Sequence, residues 1–312
     1  MAKNDLVRKP VLSIAIGAVV LLGATACGGS KPIAVGATTI VFASGRDTDF
    51  ALFLTNVGTS PGRAERLTKN PHPVKWESGV VFQSDAAWAP DGTRIAFTSN
   101  RTGRYRLYVM VADGTGERLV PTALPNIRQP AWSPDGKSIA LVAGDPTLNT
   151  DLYVLDLGSG RSRRLTRTPV DESSPSWSPD GERIAYSRRK VNATATTLHG
   201  DVYVVPATGG SSRNVTATPA VDDLSPAWSP DGAWIAFTSI TGNQTRLEVI
   251  RPDGTGRRVV AHGLALTDPS WSPDSQRIAF SSSIGLEVIG VDGKGLTQIT
   301  DEIDIDPAWR PR

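Results

Sequence analysis

Short apolar strands with one repeated pattern recur along most of the chain. A large residue, an alanine and a second large residue follow one another, as in Ile95-Ala96-Phe97 and again in Ile278-Ala279-Phe280. Alternate side chains of an extended strand point to opposite faces of its sheet. Both faces of these strands are therefore apolar, which predicts sheets that are covered on each side by neighbouring units of the same kind.

A tight-turn motif of tryptophan, serine, proline, aspartate and glycine precedes each of these strands. Its tryptophans are Trp88, Trp132, Trp177, Trp228, Trp271 and Trp309. Proline and aspartate favour the early positions of such a turn, and glycine readily takes the left-handed backbone at its end. Successive tryptophans are 38 to 51 residues apart. This spacing is typical of propeller blades, each with four antiparallel strands.

The two ends of the chain complement each other as parts of one blade. The C-terminus supplies only a first strand, around Ala308 and Trp309. The N-terminal region supplies the missing strands, at residues 39–42, 51–55 and 64–68. Pairing them closes the ring and removes the open edges of a linear sheet. The sequence thus predicts an all-β fold over residues 38–312, a six-bladed β-propeller whose closing blade combines three N-terminal strands with one C-terminal strand.

The first 27 residues have a different character. Basic residues occupy the start, an apolar run extends over residues 11–26, and the run ends at Cys27, the only cysteine. An apolar run of this length is short for a bilayer-spanning helix but suits a secretory signal peptide. We expect a signal peptide over residues 1–27, followed by a tether over residues 28–37.

The end of the apolar run suggests how the mature protein begins. The stretch Ala24-Thr25-Ala26-Cys27-Gly28 resembles a bacterial lipobox, which implies lipidation of Cys27. A lipidated cysteine would hold the propeller at a membrane surface without crossing it. The alternative is an ordinary signal peptide that is cleaved near Ala26 and leaves Cys27 free.

Charge and motif content exclude several classes of function. Beyond residue 27 the basic and acidic residues are equal in number, so the domain lacks the basic excess of nucleic-acid-binding proteins. A single cysteine rules out an intramolecular disulfide and a cysteine-based zinc site. There is no Gly-x-Ser-x-Gly nucleophile motif and no His-Glu-x-x-His zinc motif. We therefore expect no cofactor and identify no catalytic residues.

The connections that lead into the first strands are acidic. Their carboxylates lie three to six residues before a repeat tryptophan: Asp85, Asp171, Glu172, Asp222, Asp223, Asp268, Asp304 and Asp306. First strands line the central channel of a propeller, so we expect these groups to crowd the channel mouth. Such a ring would attract a cation or a basic peptide. Alternatively, each aspartate simply accepts hydrogen bonds from the backbone of its own loop.

The repeats as a whole resemble the TolB-type propeller family. The resemblance rests on the Trp-Ser-Pro-Asp-Gly-x-x-Ile-Ala-Phe repeat, on Tyr-Val in the third strand (Tyr153-Val154) and on Leu-Thr in the fourth (Leu165-Thr166), and it covers nearly all of residues 38–312. It implies a six-bladed propeller and, for TolB itself, a periplasmic protein that joins an envelope complex and has an additional N-terminal α/β domain. Because few residues separate Cys27 from Thr38, we expect the propeller without that domain.

Three functional hypotheses follow. The first is a monomeric, membrane-anchored extracytoplasmic propeller that binds a protein or peptide of the cell envelope through the channel mouth. The second is a hydrolase or lyase that acts on envelope polysaccharide with channel carboxylates as acid and base. The third is a sensor for a cation or small ligand at the same carboxylates.

Overall fold

The computed structural model describes residues 36–46, 50–58, 63–68, 81–145, 149–191 and 198–312. Every helix or strand found within these ranges is a β-strand. The expected signal peptide, Cys27 and most of the expected tether lie outside the described residues.

The strands form six antiparallel sheets of four strands each. Three N-terminal strands come first: β1 (Thr39–Ser44), β2 (Ala51–Asn56) and β3 (Glu65–Arg66). Blade 1 then contains β4 (Gln83–Trp88), β5 (Arg94–Ser99), β6 (Arg106–Val111) and β7 (Arg118–Leu119). Blade 2 contains β8 (Arg128–Trp132), β9 (Ser138–Asp145), β10 (Asn149–Asp156) and β11 (Ser162–Arg164). Blade 3 contains β12 (Glu172–Trp177), β13 (Arg183–Val191), β14 (Leu198–Pro206) and β15 (Arg213–Asn214).

The remaining blades follow the same order. Blade 4 contains β16 (Asp222–Trp228), β17 (Ile235–Thr241), β18 (Gln244–Ile250) and β19 (Arg258–Gly263). Blade 5 contains β20 (Thr267–Trp271), β21 (Arg277–Ser282), β22 (Gly285–Gly290) and β23 (Thr297–Gln298). The last strand is β24 (Asp304–Trp309). It joins β1, β2 and β3 in the closing blade.

The ring closes as the sequence predicts. In the closing blade β24 pairs with β1, with Ile40 opposite Trp309 and Val41 opposite Ala308. The first strands of consecutive blades contact each other around the whole ring, including β24 against β4. The six-bladed propeller and its shared closing blade are therefore confirmed.

Neighbouring blades bury both faces of each second strand. Ile95, Ala96 and Phe97 are fully buried. Ile95 and Phe97 pack in one apolar cluster with Val41 of the closing blade, whereas Ala96 packs in another with Ile139 of blade 2. The small residue on one face thus leaves room for the large side chains of the next blade, as the alternation indicates.

The repeated turns are structural. In blade 2 the Ser133 hydroxyl donates to Asp135 Oδ1 at 2.6 Å, and the Lys137 backbone N–H donates to the same oxygen at 3.1 Å. These bonds lower the pKa of Asp135, and the serine hydroxyl has the larger effect. Gly136 has a φ of 67°, the left-handed region that the turn needs. In the fifth repeat Ser275 replaces the glycine and still adopts a φ of 60°.

The repeat tryptophans join neighbouring blades. Several of their indole N–H groups donate to a backbone carbonyl of the blade before: Trp88 to Ala308 (3.0 Å), Trp177 to Ala131 (3.0 Å) and Trp271 to Ala227 (3.0 Å). Arginines stack on others, as where the guanidinium of Arg94 lies 4.8 Å from the ring centre of Trp132 in the next blade. The motif therefore holds the ring together at its blade interfaces.

Antiparallel strands give the propeller two distinct faces. The turns between first and second strands and between third and fourth strands lie on one face, the turn face. The loops between second and third strands, and the connections into each first strand, lie on the other, the mouth face.

Candidate functional site

All six first strands share one irregularity. Each contains a register shift in its pairing, and the residue at the shift has a positive φ between 51° and 54°. These residues, which we call the channel ring, are Asp85, Gln129, Ser174, Ser225, Asp268 and Asp306. None is glycine, so each left-handed conformation costs about 1–2 kcal/mol. Strained residues of this kind often cluster at functional sites.

The channel ring surrounds a central cavity. The cavity has a volume of about 150 Å³ and is lined by the channel ring together with the residue that follows each member, which is Ala86 or a proline. Pockets for small organic ligands usually measure about 300–1,000 Å³. A cavity of this smaller size suits a single inserted side chain better than a whole organic ligand.

The two halves of the channel ring differ in charge. Asp268, Asp306 and Asp85 come from three consecutive blades and form the acidic half. Gln129, Ser174 and Ser225 form the neutral half. All six side chains are half-buried. Any cation in the cavity would therefore be drawn to one side of the channel.

The carboxylates of the acidic half accept hydrogen bonds from uncharged donors. Thr98 Oγ1 donates to Asp85 Oδ2 at 2.6 Å, and Ser225 Oγ donates to Asp268 Oδ1 at 3.0 Å. The backbone N–H of Asp85 donates to Asp306 Oδ2 at 3.2 Å, which links the closing blade to blade 1. Among the described residues no lysine, arginine or histidine forms an ion pair with these carboxylates.

The neutral half is hydrogen-bonded within itself. Gln129 Nε2 donates to Ser174 Oγ at 3.2 Å, and the Ser174 backbone N–H donates to Gln129 Oε1 at 2.9 Å. Beside this pair the guanidinium of Arg128 stacks on Tyr105, 3.9 Å from the ring centre. These bonds fix the amide and hydroxyl of the neutral half in place.

Enclosure and the crowding of like charges raise the pKa values of Asp268 and Asp306 in the acidic half. Enclosure by the channel wall raises the pKa of Asp306 well above its usual value, and the charges of Asp268 and Asp85 raise it further. Enclosure also raises the pKa of Asp268, again with a contribution from Asp85, although hydrogen bonds from Thr267 and Ser225 oppose it. A positive group that entered the channel would stabilise the ionised form of both carboxylates.

Three of the other predicted carboxylates are buried outside the channel lining. Glu172, Asp223 and Asp304 are essentially fully buried. Asp223 accepts two hydrogen bonds from the guanidinium of Arg257, each at 2.9 Å, and Asp304 accepts one from Arg46 at 2.5 Å. Burial raises the pKa of Asp223 and of Asp304, and the paired arginine partly offsets that rise.

Glu172 has neutral partners instead of an arginine. It accepts hydrogen bonds from the hydroxyls of Thr166 and Thr168 and from the backbone N–H of Leu152 at 3.2 Å. Burial raises its pKa, and these hydrogen bonds oppose the rise. Glu172 thus connects blade 3 to the third and fourth strands of blade 2.

Two further predicted residues bind the backbone of a strand in the preceding blade. Asp171 Oδ1 accepts the backbone N–H of Thr150 in β10 at 3.1 Å, and Asp222 Oδ1 accepts that of Gly200 in β14 at 2.7 Å. Both carboxylates therefore accept backbone hydrogen bonds, but from a neighbouring strand and not from their own loops. Of the eight predicted carboxylates, the structure therefore brings together Asp85, Asp268 and Asp306 in the channel.

Sequence reasoning missed the neutral half of the channel ring. Gln129, Ser174 and Ser225 carry no charge, so a search for carboxylates passes over them. The signal that identifies them is position, because every member of the channel ring lies three residues before a repeat tryptophan. Residues five before the tryptophan, such as Asp223 and Asp304, are instead fully buried and paired with an arginine.

The acidic half should destabilise the folded protein at neutral pH. Because the folded-state pKa values of Asp268 and Asp306 are raised, the native state binds protons more tightly than the unfolded chain. Their contribution to stability therefore falls as pH rises from the unfolded-state pKa through the raised folded-state pKa. We expect the Asp268→Asn/Asp306→Asn variant to be more stable than wild type at pH 7, by about 1 kcal/mol for a partly solvated charge pair.

Urea unfolding measured between pH 4 and pH 7 checks this expectation. Asparagine keeps an oxygen that can accept the bonds from Ser225 and from the Asp85 N–H, so the comparison isolates charge. The gain in stability should shrink as the pH approaches 4, because protonation removes the charges of the two aspartates in wild type. Asp301→Asn removes an exposed carboxylate from the same face and should change little. A gain of equal size at both pH values would contradict the explanation by enclosed and crowded charges.

In the described part of the chain, no group of three or more His, Cys, Asp or Glu side chains is arranged to hold a metal ion. No helix there has the length and apolar character needed to cross a membrane.

Comparison with known proteins agrees with the fold. The TolB of Acinetobacter baumannii superposes with a TM-score of 0.72 at 19% identity, over 89% of this chain and 68% of that one. The Tol-Pal system protein TolB of Mannheimia succiniciproducens is 34% identical over 42% of this chain and 33% of its own length. The uncharacterized peptidase YuxL of Bacillus subtilis is 28% identical over 55% of this chain and 24% of its own length. The chain thus spans about a quarter to a third of the length of these two curated relatives.

A match to one protein family shows which family the chain belongs to. Residues 115–312, more than half of the chain, match the family described as "PD40: TolB beta propeller domain". Five of the six channel-ring residues lie within the matched region, and Asp85 precedes it. The chain belongs to the TolB β-propeller family.

Proposed function

We propose that this protein is an extracytoplasmic propeller that binds an envelope protein or peptide at its mouth face, with a basic group of the partner entering the channel. The observation that carries the proposal is the acidic half of the channel ring. Asp85, Asp268 and Asp306 face one small cavity without an ion-pair partner among the described residues. A lysine, an arginine or an N-terminal amine would supply the missing positive charge.

The size of the cavity supports a side chain as the occupant. With a volume of about 150 Å³ it offers room for one inserted group. The rest of the partner would then lie across the mouth face, where loops supply contacts that differ from blade to blade.

The similarity to TolB propellers supports an extracytoplasmic location and a protein partner. One curated relative is named as a protein of the Tol-Pal system. The N-terminal residues supply the remaining elements of the proposal. The signal peptide of residues 1–27 directs secretion, and Cys27 is lipidated. The tether of residues 28–37 then attaches a monomeric propeller to the membrane.

Site-specific photo-crosslinking in intact cells tests the binding face. A photoreactive residue at Asn243, in an exposed loop of the mouth face of blade 4, should give crosslinks to a protein partner. The matched position is Ala233, an exposed residue in the turn face of the same blade. We expect the Asn243 crosslinks to weaken at least tenfold in the Asp268→Asn/Asp306→Asn variant, because buried charge contacts at an interface contribute about 2–5 kcal/mol.

The controls separate binding from anchoring. Cys27→Ala should release the protein from membranes, as measured by cell fractionation, and should leave in vitro binding to the purified partner unchanged. Equal crosslinking from Ala233 and Asn243 would contradict the assignment of the mouth face. Hydrolysis of an envelope polysaccharide by the purified protein would contradict a purely binding role.

A further inference from the structure

The mouth face carries an exposed apolar patch beside the acidic half of the channel. Leu264, Ile284 and Ile303 are 66%, 53% and 48% exposed. Among the residues that the structure describes, the four other large apolar side chains with comparable exposure lie on outer strands or near the turn face: Val111, Leu119, Val259 and Leu296. We call Leu264, Ile284 and Ile303 the blade-5 patch, since they lie on one loop of blade 5 and on the two connections beside it.

Backbone contacts bring the three segments of the patch together. The N–H of Ser283, next to Ile284, donates to the carbonyl of Leu264 at 3.3 Å. On the other side, a Cβ placed on Gly285 would lie 2.4 Å from the carbonyl oxygen of Thr300 and 2.9 Å from that of Glu302. Ile284 therefore lies between the connection that carries Leu264 and the connection that carries Ile303.

The same two connections continue into the acidic half of the channel ring. Leu264 lies four residues before Asp268, and Ile303 lies three residues before Asp306. At roughly 3.3 Å per extended residue, the patch is at most about 10–13 Å from the carboxylates, and the turn at Ala265 (φ 55°) shortens the separation from Leu264. An extended peptide reaches that far with three or four residues of its own.

We propose that the partner segment is an extended peptide with one basic residue and large apolar residues three or four positions away. The basic side chain enters the channel toward Asp268 and Asp306, and the apolar residues cover the blade-5 patch. This inference rests on the proposed function and specifies the chemistry of its partner. Apolar anchors around a desolvated charge are a common arrangement at binding interfaces.

Charge at the edge of the patch favours this occupant over other candidates. Asp301 and Glu302 are exposed next to Ile303, so the patch is bordered by acidic groups as well as by the channel. An anionic lipid surface would be repelled by such a border. A second copy of this chain would bring the same acidic face toward its own kind. A peptide with positive charge complements both the border and the channel.

Selection from a random peptide library displayed on phage, with the full-length protein as target, tests the proposal. We expect enriched peptides to combine one arginine or lysine with a leucine, isoleucine, phenylalanine or tryptophan three or four positions away. Enrichment of peptides without this pairing, or of none at all, would overturn it. An enriched peptide is then labelled, and its affinity is measured by fluorescence anisotropy.

Three variants distinguish the patch from the channel. Leu264→Ser/Ile284→Ser/Ile303→Ser should weaken binding of the enriched peptide by about tenfold or more, because its apolar contacts are lost. The matched control Leu119→Ser/Leu296→Ser removes exposed apolar groups elsewhere and should bind as wild type does. Asp268→Asn/Asp306→Asn should also weaken binding. Since Leu264, Ile284 and Ile303 are exposed, the patch variant should keep the melting temperature of wild type.

The possible failures are distinguishable. If the patch variant binds like wild type while the channel variant does not, the blade-5 patch is not the apolar site and the proposed function stands. If neither variant changes the affinity, both the inference and the proposed function fail. Concentration-dependent dimerisation in sedimentation velocity that the patch variant abolishes would identify a second copy as the occupant and overturn the peptide assignment.

Discussion

Deletion of residues 304–312 should prevent formation of a stable propeller. The deletion removes β24, and with it the inner strand of the closing blade and the partner of β1. Trp309, which is 5% exposed, is lost, and Trp88 loses its hydrogen bond to the Ala308 carbonyl. Loss of one buried tryptophan alone costs about 3–5 kcal/mol. We expect an aggregating or protease-sensitive product, because β1 and the blade-1 interface become open edges.

Size-exclusion chromatography, circular dichroism and limited proteolysis measure this outcome. The matched control deletes only Pro311 and Arg312, which follow β24 and should be dispensable. A synthetic peptide of residues 301–312 should partly restore the fold when it is added to the deleted protein. A monomeric, protease-resistant deletion variant with the melting temperature of wild type would show that ring closure does not maintain the fold.

Substitution of Arg257 by methionine should be among the most destabilising single changes. Arg257 pairs with Asp223, which is fully buried, and also with Glu248 at 2.6 Å. Methionine keeps an apolar stem beside Phe237, where the guanidinium now stacks at 5.0 Å, but leaves both carboxylates without a counter-charge. Removing one partner of a buried ion pair typically costs about 3–5 kcal/mol.

Urea unfolding followed by tryptophan fluorescence measures that loss. The loss should be smaller at acidic pH, because protonation of Asp223 then removes the unpaired charge. Adding Asp223→Asn to Arg257→Met should recover part of the stability, which a double-mutant cycle quantifies. Lys294→Met is the control, since Lys294 and Asp292 form an exposed pair at 3.8 Å that is worth about 0–1 kcal/mol. Equal losses for Arg257→Met and Lys294→Met would contradict the role of burial.

The fold followed from sequence because its signals are local and repeated. Turn chemistry like that of Asp135 and Gly136, and alternation like that of Ile95, Ala96 and Phe97, recur in most repeats, so several copies give the same prediction. Ring closure could be predicted because the strands missing at the C-terminus are present at the N-terminus. The stacking of Arg94 on Trp132 was not predictable, because it joins residues of different repeats whose relative position depends on the packing of whole blades.

The candidate site could be predicted from sequence only in part. Sequence spacing predicted that Asp268, Asp304 and Asp306 lie on the connections and first strands, but it did not predict the direction of each side chain. The direction of each side chain depends on the register shift and on the positive φ of the channel-ring residue. At Gln129 and Ser174 the residue type does not indicate either feature. Simple alternation from Asp306 would place Asp304 on the same face of the strand. The bulge separates them, and Asp304 is fully buried in an ion pair with Arg46.

The register shift in each first strand also bears on how such propellers diversify. The six side chains of the channel ring project into the cavity from equivalent backbone positions, while the packing between blades depends on other residues, such as Ile95 and Trp309. Substitution at a channel-ring position can therefore change the chemistry of the channel without repacking a blade. Related propellers that keep the same turns and tryptophans can thus evolve different ligand preferences through a handful of replacements at these positions.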